Sequence, residues 1–209
     1  MNAKEIMSIS PIVPVIAIED EKDALALAQA LSKGGVNVME ITLRTSAGLK
    51  AVEIISKEMP LMNVGTGTVC NEEDLIASKN AGAKFVFAPG ISQELIDASK
   101  KHKITLIPGV ATASEVMLAQ NNDIYYCKLF PATIAGGVDI LKAFSGPFSK
   151  MNFCPTGGVN LKNLNDFLSL KNVLCVGGTW FVPKDAIKNG DFEKITRLCK
   201  EAISSIELV

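Results

Sequence analysis

Histidine is nearly absent from this chain of 209 residues, which holds only His102. One histidine excludes a multi-histidine metal cage and leaves any histidine-centred triad a single candidate. His102 lies in Lys100-Lys101-His102-Lys103, a polar run that reads as a solvated helix end rather than a catalytic base. No charge sign prevails either: 21 Lys and Arg face 22 Asp and Glu, a formal net charge of −1. That leaves no basic stripe for nucleic acid and no polybasic membrane surface. No apolar run approaches the roughly 18 residues of a membrane span. The start, Met1-Asn2-Ala3-Lys4-Glu5, lacks the basic and apolar regions of a signal peptide. The cysteines (Cys70, Cys127, Cys154, Cys175, Cys199) are odd in number and form no CxxC, the pattern of free thiols in a reducing cytoplasm. No low-complexity segment, charge block or linker divides the chain, so a single domain over 1–209 is expected.

What is present is a globular mixture, 48% hydrophobic and 21% charged, in a chain long enough to bury roughly 70% of its unfolded surface. Short apolar runs begin near Val13, Asn37, Met62, Lys84, Ile104, Ile124, Met151 and Asn172, at spacings of 20 to 27 residues. Helix-period stretches lie between them, such as Ala24-Leu25-Leu27-Ala28-Leu31. Gly34-Gly35, Ala81-Gly82 and Asn189-Gly190 mark helix ends. Asn71 with Asp74, and Thr112 with Glu115, mark helix starts. Alternating strands and helices at this spacing mean βα units and a parallel sheet. Eight units predict a (β/α)₈ TIM barrel, with a short N-terminal helix over Ala3 to Met7 at its bottom. A doubly wound open sheet is the rival, but no GxGxxG follows the first run.

In such a barrel the chemistry lies at the C-terminal ends of the strands. The sixth run, Ile124-Tyr125-Tyr126-Cys127-Lys128-Leu129-Phe130-Pro131, places a lysine inside a buried strand. An unpaired buried ammonium loses several kcal/mol of hydration. Lys128 therefore either pairs with a carboxylate, reaches out at the strand end, or acts as a neutral amine that attacks carbonyl carbon. In the second run, alternation sets Val38, Glu40, Thr42 and Arg44 on one face and Met39, Ile41 and Leu43 on the other. The apolar set faces the helices, so Glu40 and Arg44 point inward. Strands two and six share parity, so Glu40 and Lys128 can share one layer, as a structural ion pair or a catalytic one. Thr156-Gly157-Gly158-Val159 and Gly177-Gly178-Thr179-Trp180 follow the seventh and eighth runs, where barrels of this kind bind phosphate on backbone N–H groups. Either pair of glycines also suits a plain turn, and Gly65-Thr66-Gly67-Thr68 is a third such segment. A lysine that forms an imine with a keto acid needs a proton carrier, for which Glu40 is the candidate. Arg44 is the candidate clamp for a substrate carboxylate. This chemistry requires neither a metal nor a cofactor.

At these residues the sequence resembles the class I 2-keto-3-deoxy-6-phosphogluconate (KDPG) aldolases, many of which also cleave 4-hydroxy-2-oxoglutarate. The resemblance runs from Val13 to about Ala202. It rests on Gly35-Val-Asn-Val-Met-Glu40-Ile-Thr-Leu-Arg44, on Lys128-Leu-Phe-Pro-Ala132 with Gly136-Gly137, and on Gly65-Thr-Gly-Thr-Val69. It also includes Ala88-Pro89-Gly90, Ile107-Pro-Gly109, Gly146-Pro-Phe148 and Phe153-Cys-Pro-Thr-Gly-Gly158. The resemblance implies that Lys128 forms the imine, that Glu40 is the acid/base, and that Arg44 and Thr68 hold the keto-acid carboxylate. It further implies that Thr156, Gly157, Gly158, Gly178 and Thr179 line the phosphate end, with Pro89 and Phe130 as pocket wall. A cytoplasmic homotrimer acting on a keto-acid phosphate in the Entner–Doudoroff pathway is the accompanying expectation. Departures stand at Asp123, where glycine is frequent, and at Cys127, where a bulky apolar residue is. Others are Thr133 in place of glutamate and Thr179 in place of serine.

The expected reaction is reversible cleavage of KDPG to pyruvate and glyceraldehyde 3-phosphate. A preference for 4-hydroxy-2-oxoglutarate or for the galactonate-derived epimer shares the mechanism. A phosphosugar isomerase or epimerase, or a non-catalytic phosphate-binding barrel, would keep the glycine loops and need no lysine.

Overall fold

A computed structural model describes residues 1–207; the last two positions of the expected 1–209 domain lie outside the described residues. Helix α1 (Ala3–Met7) precedes β1 (Ile12–Ile16), a 3₁₀ turn (Glu21–Asp23) and α2 (Ala24–Lys33). Then follow β2 (Val38–Thr42), α3 (Gly48–Glu58), β3 (Asn63–Gly67), α4 (Glu72–Asn80), β4 (Phe85–Phe87) and α5 (Gln93–His102). The fifth unit has β5 (Thr105–Ile107), β6 (Gly109–Val110) and α6 (Ala113–Asn121). The rest of the chain is β7 (Tyr126–Leu129), α7 (Gly137–Ser145), β8 (Asn152–Pro155), α8 (Leu164–Leu168), β9 (Val176–Gly178), α9 (Lys184–Lys188) and α10 (Phe192–Ser204).

Each of the eight apolar runs contains a strand, and the fifth contains two. Proline explains the split. Pro108 has no N–H to give a ladder, while its carbonyl accepts from Lys128 N at 2.8 Å. The chain therefore leaves one sheet and enters another at this residue. One parallel sheet has the order β5-β4-β3-β2-β1-β9 and the other β6-β7-β8. Between β8 and the segment entering β9, Phe153 N donates to Asn172 O at 2.8 Å and Leu174 N to Phe153 O at 3.2 Å.

All five residues of β1 and of β2 are buried, as parallel strands covered by helices must be. The helices turn their apolar stripes inward: Leu27, Ala28 and Leu31 of α2, Ala51, Val52 and Ile55 of α3, and Ile195, Cys199 and Ala202 of α10 are all fully buried. The predicted caps are in place. The Asn71 side chain accepts from Asp74 N, and Thr112 with Glu115 forms a capping box. Helix α1 carries its own box from Asn2 and Glu5 and buries Ile6 and Met7. Thr105, the first residue of β5, donates through its hydroxyl to Met1 O at 2.6 Å, which places α1 at the N-terminal end of the strands as expected. Among the described residues no helix is long and apolar enough to cross a membrane.

Candidate active site

Lys128 is the third residue of β7 and Glu40 the third of β2, and their side chains meet although 88 residues separate them. Lys128 Nζ donates to Glu40 Oε1 at 3.2 Å and to Oε2 at 3.4 Å. The two side chains are 6% and 2% exposed. Desolvating two charges is costly unless they pair closely, and each ion here offsets part of the other's lost hydration. Aromatic rings complete the lysine's surroundings: Nζ lies 5.3 Å from the centroid of Phe87 and 5.2 Å from that of Phe130, within cation–π range.

Room for this pair is made by β3. Glu40 pairs across to Gly65, and a Cβ built on Gly67 would strike the Glu40 carboxylate. A Cβ on Gly65 would strike the ring of Phe85. Thr66 pairs with Val86, so the two glycines of β3 lie beside the two phenylalanines of β4, small against large. Gly65-Thr-Gly is thus strand, not a turn, and its glycines admit a carboxylate and a ring.

The other expected site residues gather at the C-terminal ends of the strands. Thr68 directly follows β3, half-buried, with φ 65°, a left-handed backbone that strains a β-branched residue. Arg44 stands two residues beyond β2, exposed, and makes no ion pair among the described residues. The alternation that set it beside Glu40 stops at Thr42, where the strand ends. Thr156 is buried just after β8, its hydroxyl donating to Cys154 O at 3.4 Å. Gly157 and Gly158 follow with φ 99° and 82°, backbone open to glycine at little cost. Gly178 ends β9 under the indole of Trp180, and Thr179 beyond it is exposed. Pro89 follows β4 and lines a cleft of about 230 Å³ with Val69, Cys70 and Ile91.

Phe87 was not expected beside Lys128, and Gly67, expected as part of a candidate phosphate segment or turn, instead makes room for Glu40. Their signal is the pairing of Gly-x-Gly on one strand with Phe-x-Phe on the next. His102 ends α5 and contacts Glu72 Oε1 at 2.7 Å, away from the Lys128–Glu40 pair. No group of three His, Cys, Asp or Glu side chains among the described residues comes together as a metal site.

The family model for KDPG and KHG aldolase matches residues 3–198. The chain belongs to this family. As a KDPG/KHG aldolase family member it is an enzyme of the lyase class. It is 46% identical over 203 residues to the 2-dehydro-3-deoxy-phosphogluconate aldolase of Dickeya dadantii, covering 97% of this chain and 95% of that one. It is 44% identical over 207 residues to the KHG/KDPG aldolase of Escherichia coli K12, covering 99% and 97%. The KDPG aldolase of Legionella pneumophila, solved with pyruvate captured as a covalent carbinolamine, superposes with a TM-score of 0.95 at 44% identity, over 97% of this chain and 98% of that one. Asp123 holds φ 61°, a left-handed backbone that glycine enters freely and aspartate tolerates.

Proposed function

We propose that this chain is a Schiff-base aldolase that reversibly cleaves 2-keto-3-deoxy-6-phosphogluconate to pyruvate and glyceraldehyde 3-phosphate. The observation that carries the reading is a buried lysine amine 3.2 Å from a buried carboxylate in a chain that belongs to this aldolase family. The Lys128 amine, its proton passed to Glu40, adds to the keto carbon and gives a carbinolamine. Loss of water leaves a protonated imine. The bond between the third and fourth carbons breaks, its electron pair enters the imine as an enamine, and the aldehyde departs as the hydroxyl proton is taken up. Protonation of the enamine and hydrolysis return pyruvate and the free amine. Glu40 carries protons at each stage, a role that contributes about 10²- to 10⁴-fold. Arg44 and Thr68 hold the keto-acid carboxylate, while Thr156, Gly157, Gly158, Gly178 and Thr179 receive the phosphate end. Phe130 and Pro89 form the wall, and Phe87 joins them.

We also take the two sheets as one closed (β/α)₈ barrel forming a single domain. The pairing of β9 with β1, the Lys128–Pro108 bond and the Phe153 and Leu174 bonds support that reading, and an open doubly wound sheet offers no such wrap-around. A cytoplasmic homotrimer follows from the family resemblance.

Borohydride added with pyruvate should fix one pyruvate, less one water and plus two hydrogens, on Lys128, as read by peptide mass. An unchanged mass would sink the imine mechanism. Lys128→Ala should abolish turnover, whereas an isomerase or a passive phosphate binder would be indifferent to it. Cleavage of 4-hydroxy-2-oxoglutarate is the second reading, favoured by similarity to the E. coli enzyme named for both substrates. A kcat/KM equal for the phosphorylated and unphosphorylated substrates would remove the glycine loops from recognition.

A further inference from the structure

The loop after β7 does more than join Lys128 to α7. Three of its groups bond to the glycine loop after β8. Ala132 N donates to Thr156 O at 2.7 Å, Thr133 N to Gly157 O at 3.1 Å, and Thr133 Oγ1 to the same Gly157 oxygen at 3.2 Å. The Thr133 side chain also fills the space where a Cβ of Gly158 would project. Gly157 O is therefore held by two donors of one residue, and Gly158 is seated on that residue's hydroxyl and methyl. Both glycines have left-handed backbone, a shape with few intrinsic restraints because glycine enters many others as readily. Contacts must select it: the side-chain amides of Asn160 and Asn163 each donate to Gly158 O at 3.1 Å, and Thr133 supplies the two donors on Gly157 O.

We propose that Thr133 is a positioning residue that locks the Gly157–Gly158 backbone in the conformation that receives the substrate phosphate, coupling the lysine strand to the phosphate end. The proposal rests on the aldolase reading above and on these glycines as its phosphate site. Thr133 touches the loop, not the reacting carbons, so its effect belongs to substrate affinity and only where a phosphate is present. Valine has threonine's shape without its hydroxyl; serine keeps the hydroxyl without the methyl.

Thr133→Val should raise KM for 2-keto-3-deoxy-6-phosphogluconate about three- to tenfold, the worth of one hydrogen bond, with kcat within about twofold. The kcat/KM for unphosphorylated 4-hydroxy-2-oxoglutarate should stay unchanged, and Thr133→Ser should restore the wild-type KM. Equal losses on both substrates, or no change on either, overturn the proposal. So does a serine variant as impaired as the valine one, because the hydroxyl alone would then not hold the loop. The wild-type enzyme separates the two levels of failure. If it traps pyruvate on Lys128 and prefers the phosphorylated substrate while Thr133→Val behaves like wild type, the positioning role alone falls. If it traps no pyruvate, the aldolase reading falls as well. If it shows no preference for phosphate, there is no phosphate site to position and the proposal falls with it.

Discussion

Lys128 is held by a carboxylate and two rings, and the carboxylate is held in turn by the absence of a side chain at Gly67. Removing one partner of a buried pair leaves the other unpaired, at a cost of about 3–5 kcal/mol. Replacing a carboxylate by its amide keeps the shape and a hydrogen bond. Glu40→Gln should therefore lower kcat about 10²- to 10⁴-fold with a modest change in melting temperature. Glu40→Ala should lose both activity and several kcal/mol of stability, as read by denaturant titration. If Gln destabilises as much as Ala, the carboxylate's charge, and not its shape and hydrogen bond, is what satisfies the lysine, and the modest shift expected of Glu40→Gln is refuted. The pairing of Glu40 with Lys128 was legible in the sequence from strand parity and alternation. Phe87 was not, because every residue of Phe85-Val86-Phe87 is apolar and buried, and such a strand does not announce which face looks inward. The exposure of Arg44 was also illegible, since alternation carries no mark of where a strand stops.

At the scale of elements, the eight apolar runs, the caps at Asn71 and Thr112 and the short first helix could be read directly, because period and cap chemistry are local. The division of the fifth run at Pro108 could have been anticipated from proline's missing donor, but not which sheet each half would join. The complementarity of β3 and β4 is a property of two strands together. Gly67→Ala places a methyl against Glu40 Oε1, and overpacking of this kind costs about 1–3 kcal/mol. Displacing a catalytic group by about 1 Å can cost 10²-fold in rate. This variant should therefore fold with a lowered melting point and lose most of its kcat, while pyruvate trapping slows in step. A fully active Gly67→Ala enzyme would show that Glu40 has slack the structure does not suggest.

At the scale of the whole molecule, the cysteines report on packing. Cys127, Cys154, Cys175 and Cys199 are buried and Cys70 is exposed. Burial pushes the thiols of Cys127 and Cys199 up to about 12, and partial burial, helped by Asp74, also raises that of Cys70. A raised value means less thiolate at neutral pH. A disulfide reagent should thus modify one thiol of the native protein, slowly near pH 7 and faster as pH rises, and the remaining four only after denaturation. A second fast-reacting thiol would contradict the burial pattern. The expected trimer makes a mass prediction, three times the 22.3 kDa of the chain by light scattering, and a 22.3 kDa species at working concentration would refute it.

The split at Pro108 reaches beyond topology. Glu40 belongs to the six-stranded sheet and Lys128 to the three-stranded one, so the division of the backbone also divides the chemistry. Each portion of the polypeptide inherits half of a proton-transfer couple. A chain severed in the loop after β6 would leave two inert pieces, and aldol cleavage regained on mixing them would measure their reunion and nothing less.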